Sequence, residues 1–216
     1  MSPENDQINN FSVIEEVWHA ITHGVGFLLS IAALVLLVYF ATFSGSSLNI
    51  TAAAIYGASL IIMYGSSTLY HALTHQRAKR LFQKFDHSAI YFLIAGTYTP
   101  VMLLTVGGAW GWTLFSIEWG IALIGITLKF MYMGRFELFS LIAYVFMGWL
   151  IVFVFDIFKS NIDPMGFWLI VAGGIAYTGG IIFYVKDRIT HFHTVWHLFV
   201  LLGSILQFFA ILLYVV

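Results

Sequence analysis

Seven apolar runs, each long enough to cross a lipid bilayer, divide this chain of 216 residues. A crossing helix needs about 20 mostly apolar residues. The runs lie near 18–40, 50–71, 87–106, 110–131, 137–157, 165–185 and 193–215. Inside a bilayer the backbone must satisfy its own hydrogen bonds, so each run is predicted as a helix. The sequence therefore predicts an all-α integral membrane protein, with a short polar segment at residues 1–16 and a seven-helix transmembrane domain at residues 17–216. The boundary between Val106 and Trp110 is only weakly polar, so a six-span alternative would merge the two runs that flank it or omit one of them.

The positive charges test this number of spans. With seven crossings, the N-terminus and every second loop share one side of the membrane. The opposite side carries only Lys159. The shared side holds the eight other basic residues, Arg77, Lys79, Arg80, Lys84, Lys129, Arg135, Lys186 and Arg188. Because loops rich in Lys and Arg stay in the cytoplasm, we expect a cytoplasmic N-terminus, an extracytoplasmic C-terminus and a location in the plasma (inner) membrane.

Composition excludes several functional classes. Only 9% of the residues are charged and 61% are hydrophobic, whereas soluble domains carry about 25% charged residues. The net charge of -1 argues against a nucleic-acid partner and leaves membrane lipid as the expected one. The chain has no cysteine, so a metal must be held by His, Asp or Glu. The acidic, polar N-terminus does not resemble a signal peptide, and the first apolar run is expected to remain in the mature protein.

All eight histidines fall near the predicted cytoplasmic ends of spans. Three pairs have i,i+4 spacing, which places two imidazoles on one helix face: His19/His23, His71/His75 and His193/His197. One such pair supplies two ligands, and a catalytic zinc takes three protein ligands plus water. A third ligand must come from another helix end, for which His71 is a candidate. From spacing alone, the third ligand of a site containing His193 and His197 stays open.

These residues also have interpretations without a metal. Histidines at a membrane interface often only contact lipid headgroups, an alternative that applies to His75, His87 and His191. Ser67 lies one turn before His71, where a small residue also suits helix packing. Asp86 is placed to cap the third helix.

Three glutamates lie within or at the start of predicted spans. Glu15 and Glu16 suit the first turn of a helix because a carboxylate complements the helix dipole. Glu118 lies inside the fourth span. It is expected to face the bundle, and the alternative is a role in ion or proton movement.

Four sequence blocks carry a resemblance to a known family. They are EEVWHAITHGVG at 15–26, SSTLYHALTH at 66–75, KFDHSAIYFLIAGTYTP at 84–100 and HTVWHLFVLLGS at 193–204. In this order, and at these span ends, they resemble the hemolysin III branch of the progestin and adipoQ receptor (PAQR) family over nearly the whole chain. The resemblance implies seven helices and a cytoplasmic N-terminus, which the charge distribution also predicts.

The resemblance also implies a zinc ion near the cytoplasmic face of the bundle. The family's Ser-x3-His pattern corresponds to Ser67 and His71, and its His-x3-His pattern to His193 and His197. This assigns His71, His193 and His197 as zinc ligands, with Asp86 and Ser67 beside a bound water as catalytic candidates. Bacterial members commonly carry Asn where this chain has His19, which leaves the role of His19 and His23 open between ligand support and other functions.

Three functional hypotheses follow. The first is a zinc-dependent hydrolase of a lipid amide, in which Asp86 accepts a proton and Ser67 stabilises an oxyanion. The second is a non-enzymatic regulator of membrane energetics or homeostasis, in which zinc ties helices together. The third is a cytolytic protein, which rests on the family name and has no support in the sequence.

Overall fold

The computed structural model describes residues 11–216, and every regular element in that range is helical. The elements are α1 (Val13–Thr42), α2 (Ser47–Ala72), α3 (Gln76–Pro100), a π-helical segment (Val101–Val106), α4 (Gly108–Met131), α5 (Glu137–Gly148), a 3-10 segment (Leu150–Val154), α6 (Phe155–Asn161), α7 (Pro164–Val185) and α8 (Phe192–Tyr214). Together they form seven helices that are long and apolar enough to cross a membrane. The predicted fold class and number of spans are confirmed.

Polar side chains start the helices where the apolar runs begin. Ser12 and Glu15 form a capping box at the start of α1, in which each side chain pairs with the other residue's backbone. The Ser46 side chain caps α2 by accepting a hydrogen bond from the Asn49 amide. Asp163 caps α7 and is followed by Pro164 at the first helical position, where its missing N–H costs nothing. Each cap satisfies amides that have no partner within the helix.

The third span differs from its predicted bounds. Its helix begins at Gln76 rather than near residue 87, because the polar stretch before the apolar run is also helical. His75, not Asp86, is the N-cap. The interpretation of Asp86 as a capping residue is therefore wrong, since Asp86 lies well inside α3. At the other end Pro100 is followed directly by the π-helical segment, as expected for a proline that cannot donate a backbone hydrogen bond.

The fifth span is a broken helix. α5 ends at Gly148, and a 3-10 segment leads into α6. The Tyr98 hydroxyl bridges this break, since it donates to the Gly148 carbonyl at 2.8 Å and accepts from the Ile151 amide at 3.2 Å. Backbone groups freed by a broken helix need such partners inside a membrane. The break and the π-helical segment thus lie on facing helices of one bundle.

Close helix packing brings together the helix ends that carry most of the histidines. The third span is the most enclosed of the seven. α2 packs against α1 and α3, and α8 packs against α7 and α1. At Gly57 of α2, an added Cβ would lie 2.8 Å from the Leu34 Cα, so only glycine permits this approach of α1. As a result, the start of α1, the end of α2 and the start of α8 meet.

Glu118 lies on the face of α4 that packs into the bundle, as the sequence analysis favoured. Its side chain is fully buried, and neither carboxylate oxygen has a hydrogen-bond partner among the described residues. It lies in the half of its span away from the histidines described below, and it takes no part in their site.

Candidate metal centre

Five histidines converge where α1 begins, α2 ends and α8 begins. All five are at most 8% exposed. They are His19 and His23 of α1, His71 of α2, and His193 and His197 of α8. The other three histidines lie apart from them: His75 caps α3 and His191 precedes α8, both exposed, and His87 lies on α3. The i,i+4 pairs of α1 and α8 both enter the cluster, whereas only one member of the α2 pair does.

Their geometry suits a metal ion. One nitrogen each of His19, His71 and His193 lies within 4.8 Å of the others. The ring of His197 is centred 4.8 Å from His193, 5.2 Å from His71 and 5.1 Å from His19. The three histidines assigned from the sequence are therefore brought together, and His19 joins them as a fourth imidazole. In the tightest group of three, His19 takes the place that the sequence analysis gave to His197.

The nitrogen atoms also suit a metal by their hydrogen bonding. His71 Nε2, His193 Nδ1 and both ring nitrogens of His19 are buried and have no partner among the described residues. Unpaired nitrogens of this kind are costly unless a ligand occupies them. A tetrahedral zinc with bonds of about 2.1 Å holds its nitrogens about 3.4 Å apart, so small side-chain rotations close the cluster around an ion. We conclude that the donor set fits zinc or a similar divalent transition metal.

The first turns of α1 orient His71. Its Nδ1 donates to Glu16 Oε2 at 2.7 Å, and Glu16 Oε1 accepts from Lys79 Nζ at 2.7 Å. A carboxylate only accepts hydrogen bonds, so the Nδ1 proton is fixed and Nε2 is left free to bind a metal. This contact was not predicted, since Glu16 was expected only to complement the helix dipole. The position of Glu16, one turn before the His19/His23 pair, was the sequence feature that could have indicated it.

His197 is held in a similar way. Its Nδ1 lies 3.2 Å from Thr22 Oγ1, and Thr22 Oγ1 donates to the Trp18 carbonyl at 2.8 Å. Because the threonine proton is used on that carbonyl, the histidine Nδ1 is the donor and its Nε2 stays available. The ring of His23 stacks on His197, with centroids 3.5 Å apart and planes 8° from parallel. α1 therefore positions the candidate ligands that α2 and α8 supply.

Ser67 and Asp86 lie on the deeper side of the histidines. The buried Ser67 Oγ is 2.8 Å from His23 Nδ1, and its side chain also interacts with the Asp86 carboxylate. Asp86 is not a member of the close histidine group. Ser67 is therefore bonded to His23, and the Asp86 carboxylate lies near Ser67 without joining the histidine group.

The start of α1 closes the opposite, shallow side. The ring of Phe11 is centred 4.8 Å from both His19 and His193. Glu15 Oε1 accepts from the His191 amide at 2.9 Å, which ties the start of α1 to the start of α8. The Phe11 ring and the hydrogen bond between Glu15 and His191 limit access of water to the histidines from the shallow side.

An apolar cavity lies deeper in the bundle than Ser67 and Asp86. Met63 and Ile90 line it, one helical turn from Ser67 and from Asp86, and so does Trp196, which precedes His197. It has a volume of about 100 Å³ and lies between α3, α5, α7 and α8. A second cavity of about 320 Å³ shares part of its lining and continues away from the histidines. The polar site thus adjoins a space with the lining of a hydrocarbon-binding pocket. Sequence patterns do not predict this cavity, because its lining comes from helices that are distant from one another in the chain.

Comparison with known proteins agrees with this architecture. Residues 11–208 match the family described as "Haemolysin-III related". The chain is 45% identical to "Hemolysin-3" of Bacillus cereus, over 94% of this chain and 93% of that protein. It is 46% identical to "Hemolysin-3 homolog" of Bacillus subtilis (strain 168), over 95% of this chain and 97% of that protein.

A human relative extends the comparison beyond bacteria. The chain is 29% identical to "Monocyte to macrophage differentiation factor" of Homo sapiens, over 73% of this chain and 67% of that protein. The resemblance to the hemolysin III branch of the PAQR family is thereby confirmed. The chain belongs to the haemolysin-III-related family of multi-pass membrane proteins.

Proposed function

We propose that this protein is a zinc-dependent hydrolase that cleaves a lipid amide inside the membrane. The observation that carries the proposal is the order of residues along the helices, in which Ser67 and Asp86 come between the buried histidines and the side chains that line an apolar cavity. A lipid chain in that cavity would present its polar end to the histidines. Hydrolysis of an amphiphile needs both an apolar binding space and a polar reactive end, and the two meet here.

The proposed zinc ligands are His71, His193 and His197. When bound, zinc polarises a substrate carbonyl and acidifies a water molecule. The protein's own part begins with Glu16 and Thr22, which hold His71 and His197 with Nε2 free. Since the chain has no cysteine, imidazole nitrogen is the softest strong donor that it offers.

Asp86 is the proposed general base and acid. A water oxygen forms the new bond to the amide carbon while its proton passes to the Asp86 carboxylate. The C–N bond then breaks, and Asp86 returns the proton to the leaving nitrogen, which gives a fatty acid and an amine. Ser67 and His23 act as positioning residues, because His23 fixes Ser67 and Ser67 interacts with Asp86.

A second function is favoured by one observation, the position of His19. Four imidazoles complete a tetrahedral zinc and leave no position for water, as in structural zinc sites. His19 is fully buried, and its ring is centred 4.7 Å from His71 and 4.8 Å from His193. In this alternative the metal ties α1, α2 and α8 together, and the protein acts as a regulator of membrane homeostasis rather than as an enzyme.

Substitution of Asp86 separates the two functions. Purified, zinc-loaded protein is incubated with a synthetic N-acyl amino alcohol, and released fatty acid is measured by mass spectrometry. Asp86→Asn should retain zinc and the wild-type melting temperature but lose at least about 100-fold in rate, the lower range for general acid–base catalysis. Asp163→Asn, which alters a carboxylate at the far end of the bundle, is the matched control and should remain active.

The outcomes are distinct. Fatty-acid release that a chelator abolishes and that Asp86→Asn lacks supports the hydrolase. A fully active, zinc-loaded Asp86→Asn protein contradicts the proposed base. No release from wild type, together with a large loss of stability on zinc removal, favours the structural zinc.

The proposed setting is the plasma membrane, with the histidine cluster on the cytoplasmic side. The support is the division of basic residues, of which eight share the side of the N-terminus and one lies opposite. A reporter fused after Val216 should be active outside the cytoplasm, and one inserted in the loop near residue 75 should be active inside. Activity of both on one side of the membrane would refute this orientation.

A further inference from the structure

The two apolar cavities meet at a ring of side chains in the middle of the bundle. Four polar side chains line both cavities: Thr97, Tyr98, Trp149 and Gln207. Three of them are already satisfied. Thr97 donates to the Leu93 carbonyl, Tyr98 donates to the Gly148 carbonyl, and Trp149 Nε1 donates to Thr178 Oγ1.

Gln207 is the exception in this ring. Its side chain is half-buried, and no described residue forms a hydrogen bond with its amide. The side chain packs closely against Gly173 of α7, where an added Cβ would lie only 2.6 Å from Gln207 Cγ, so glycine leaves room for it. An amide at membrane depth that lacks a partner is costly, and such residues mark binding sites or pathways. Gln207 therefore presents a donor and an acceptor to an otherwise apolar space.

The distance between Gln207 and the histidines indicates which part of a bound lipid would pair with the Gln207 amide. Gln207 follows His197 by ten residues of one helix, which is about 15 Å at about 1.5 Å per residue. An extended chain advances about 1.2 Å per single bond, so the amide lies at the level of roughly the twelfth carbon of a chain whose head is at the histidines. A hydroxyl at that carbon both donates and accepts, and so it matches the two functions of the amide.

We propose that Gln207 is a specificity site for an acyl chain that carries a mid-chain hydroxyl group. The inference rests on the proposed function in one respect, that a lipid chain occupies the cavity with its polar end at the histidines. It adds the substrate class: a hydroxylated acyl chain is preferred over a plain one. The matching position is near carbon 12 of the chain, not next to its head group.

Binding of free fatty acids tests this without any need for hydrolysis. Stearate, 12-hydroxystearate and 2-hydroxystearate compete with radiolabelled stearate on purified protein in detergent. One well-formed hydrogen bond to a previously unpaired amide corresponds to about a tenfold gain. Wild type should therefore bind 12-hydroxystearate about tenfold more tightly than stearate, and 2-hydroxystearate should gain little.

Variants assign the preference to the amide. Gln207→Leu should remove the preference while stearate still binds. Gln207→Asn serves as a second test in case the leucine variant folds poorly. It keeps an amide but shortens its reach, and it should also reduce the preference for 12-hydroxystearate. Thr97→Val is the matched control on the same ring, and since its hydroxyl is already paired it should keep the wild-type preference.

The overturning results are equal binding of stearate and 12-hydroxystearate by wild type, or a preference that survives in Gln207→Leu. A larger gain for the 2-hydroxy acid would also overturn the proposal, because it would place the polar contact at the head group. Failure of lipid-amide hydrolysis with the preference intact would refute the proposed reaction and leave this site standing. The two proposals therefore fail separately.

Discussion

Replacing Glu16 by Gln should weaken zinc binding although Glu16 is not a ligand. The carboxylate accepts from His71 Nδ1 and from Lys79 Nζ, both at 2.7 Å. Gln keeps the shape and can still accept from the histidine, but it removes the negative charge. The imidazole then donates its electrons less strongly, and Lys79, itself buried, loses its ion-pair partner.

The magnitude follows from the change in hydrogen-bond type. Hydrogen bonds to charged groups contribute about 1.5–3 kcal/mol and neutral ones about 0.5–1.5 kcal/mol, a difference of about 1 kcal/mol or slightly more. The Glu16 side chain is only 16% exposed, so solvent screening reduces this little. Loss of a residue that orients a ligand commonly lowers metal affinity about 10–100-fold. We expect about a tenfold weaker affinity, which corresponds to about 1.4 kcal/mol.

The assay is competition with a chromophoric zinc chelator in detergent solution. The matched control is Glu137→Gln, because Glu137 forms the same kind of carboxylate–lysine pair with Lys129, away from the cluster. That variant should bind zinc like wild type. An affinity of Glu16→Gln within twofold of wild type would refute the reasoning. So would an equal loss in Glu137→Gln, since it would show a general effect of charge removal.

Two further predictions concern the ligands and the packing. Replacing His193 and His197 together with Ala should abolish zinc binding. His75→Ala should retain zinc, because His75 is exposed and lies outside the cluster. Metal analysis of the purified variants tests this, and zinc retained by the double variant would refute the ligand assignment. Gly57→Ala should lower the melting temperature and cost about 1–3 kcal/mol of folding free energy, because its Cβ would meet the backbone of α1. Gly120→Ala faces open space and should have little effect. Equal melting temperatures of the two variants would contradict the packing argument.

The architecture could be predicted because few physical rules decide it. The length and apolarity of each run require a membrane-spanning helix, and seven such helices are present. The bounds of the third span were the main error. Hydropathy marks only where a helix is apolar, and α3 continues through the polar stretch from Gln76 into the apolar run.

The candidate site was predictable only in part. The i,i+4 spacing identified histidine pairs, but it could not show which of them share one space. Contact between His19 and His71 depends on how α1 and α2 pack, which short-range spacing does not contain. Glu16, Thr22 and the cavity were missed for the same reason, since each acts through residues far away in the sequence.

X-ray absorption at the zinc K-edge of purified protein would show whether these histidines bind a metal. We expect about one zinc per chain, bound by three or four nitrogens at about 2.0–2.1 Å. Four nitrogens in wild type and three in His19→Asn would add His19 to the ligands and favour the structural alternative, whereas three nitrogens and one oxygen in both would favour the hydrolase. Protein that contains no zinc after purification and reconstitution, or zinc bound only by oxygen, would contradict the claim that these histidines form a metal site.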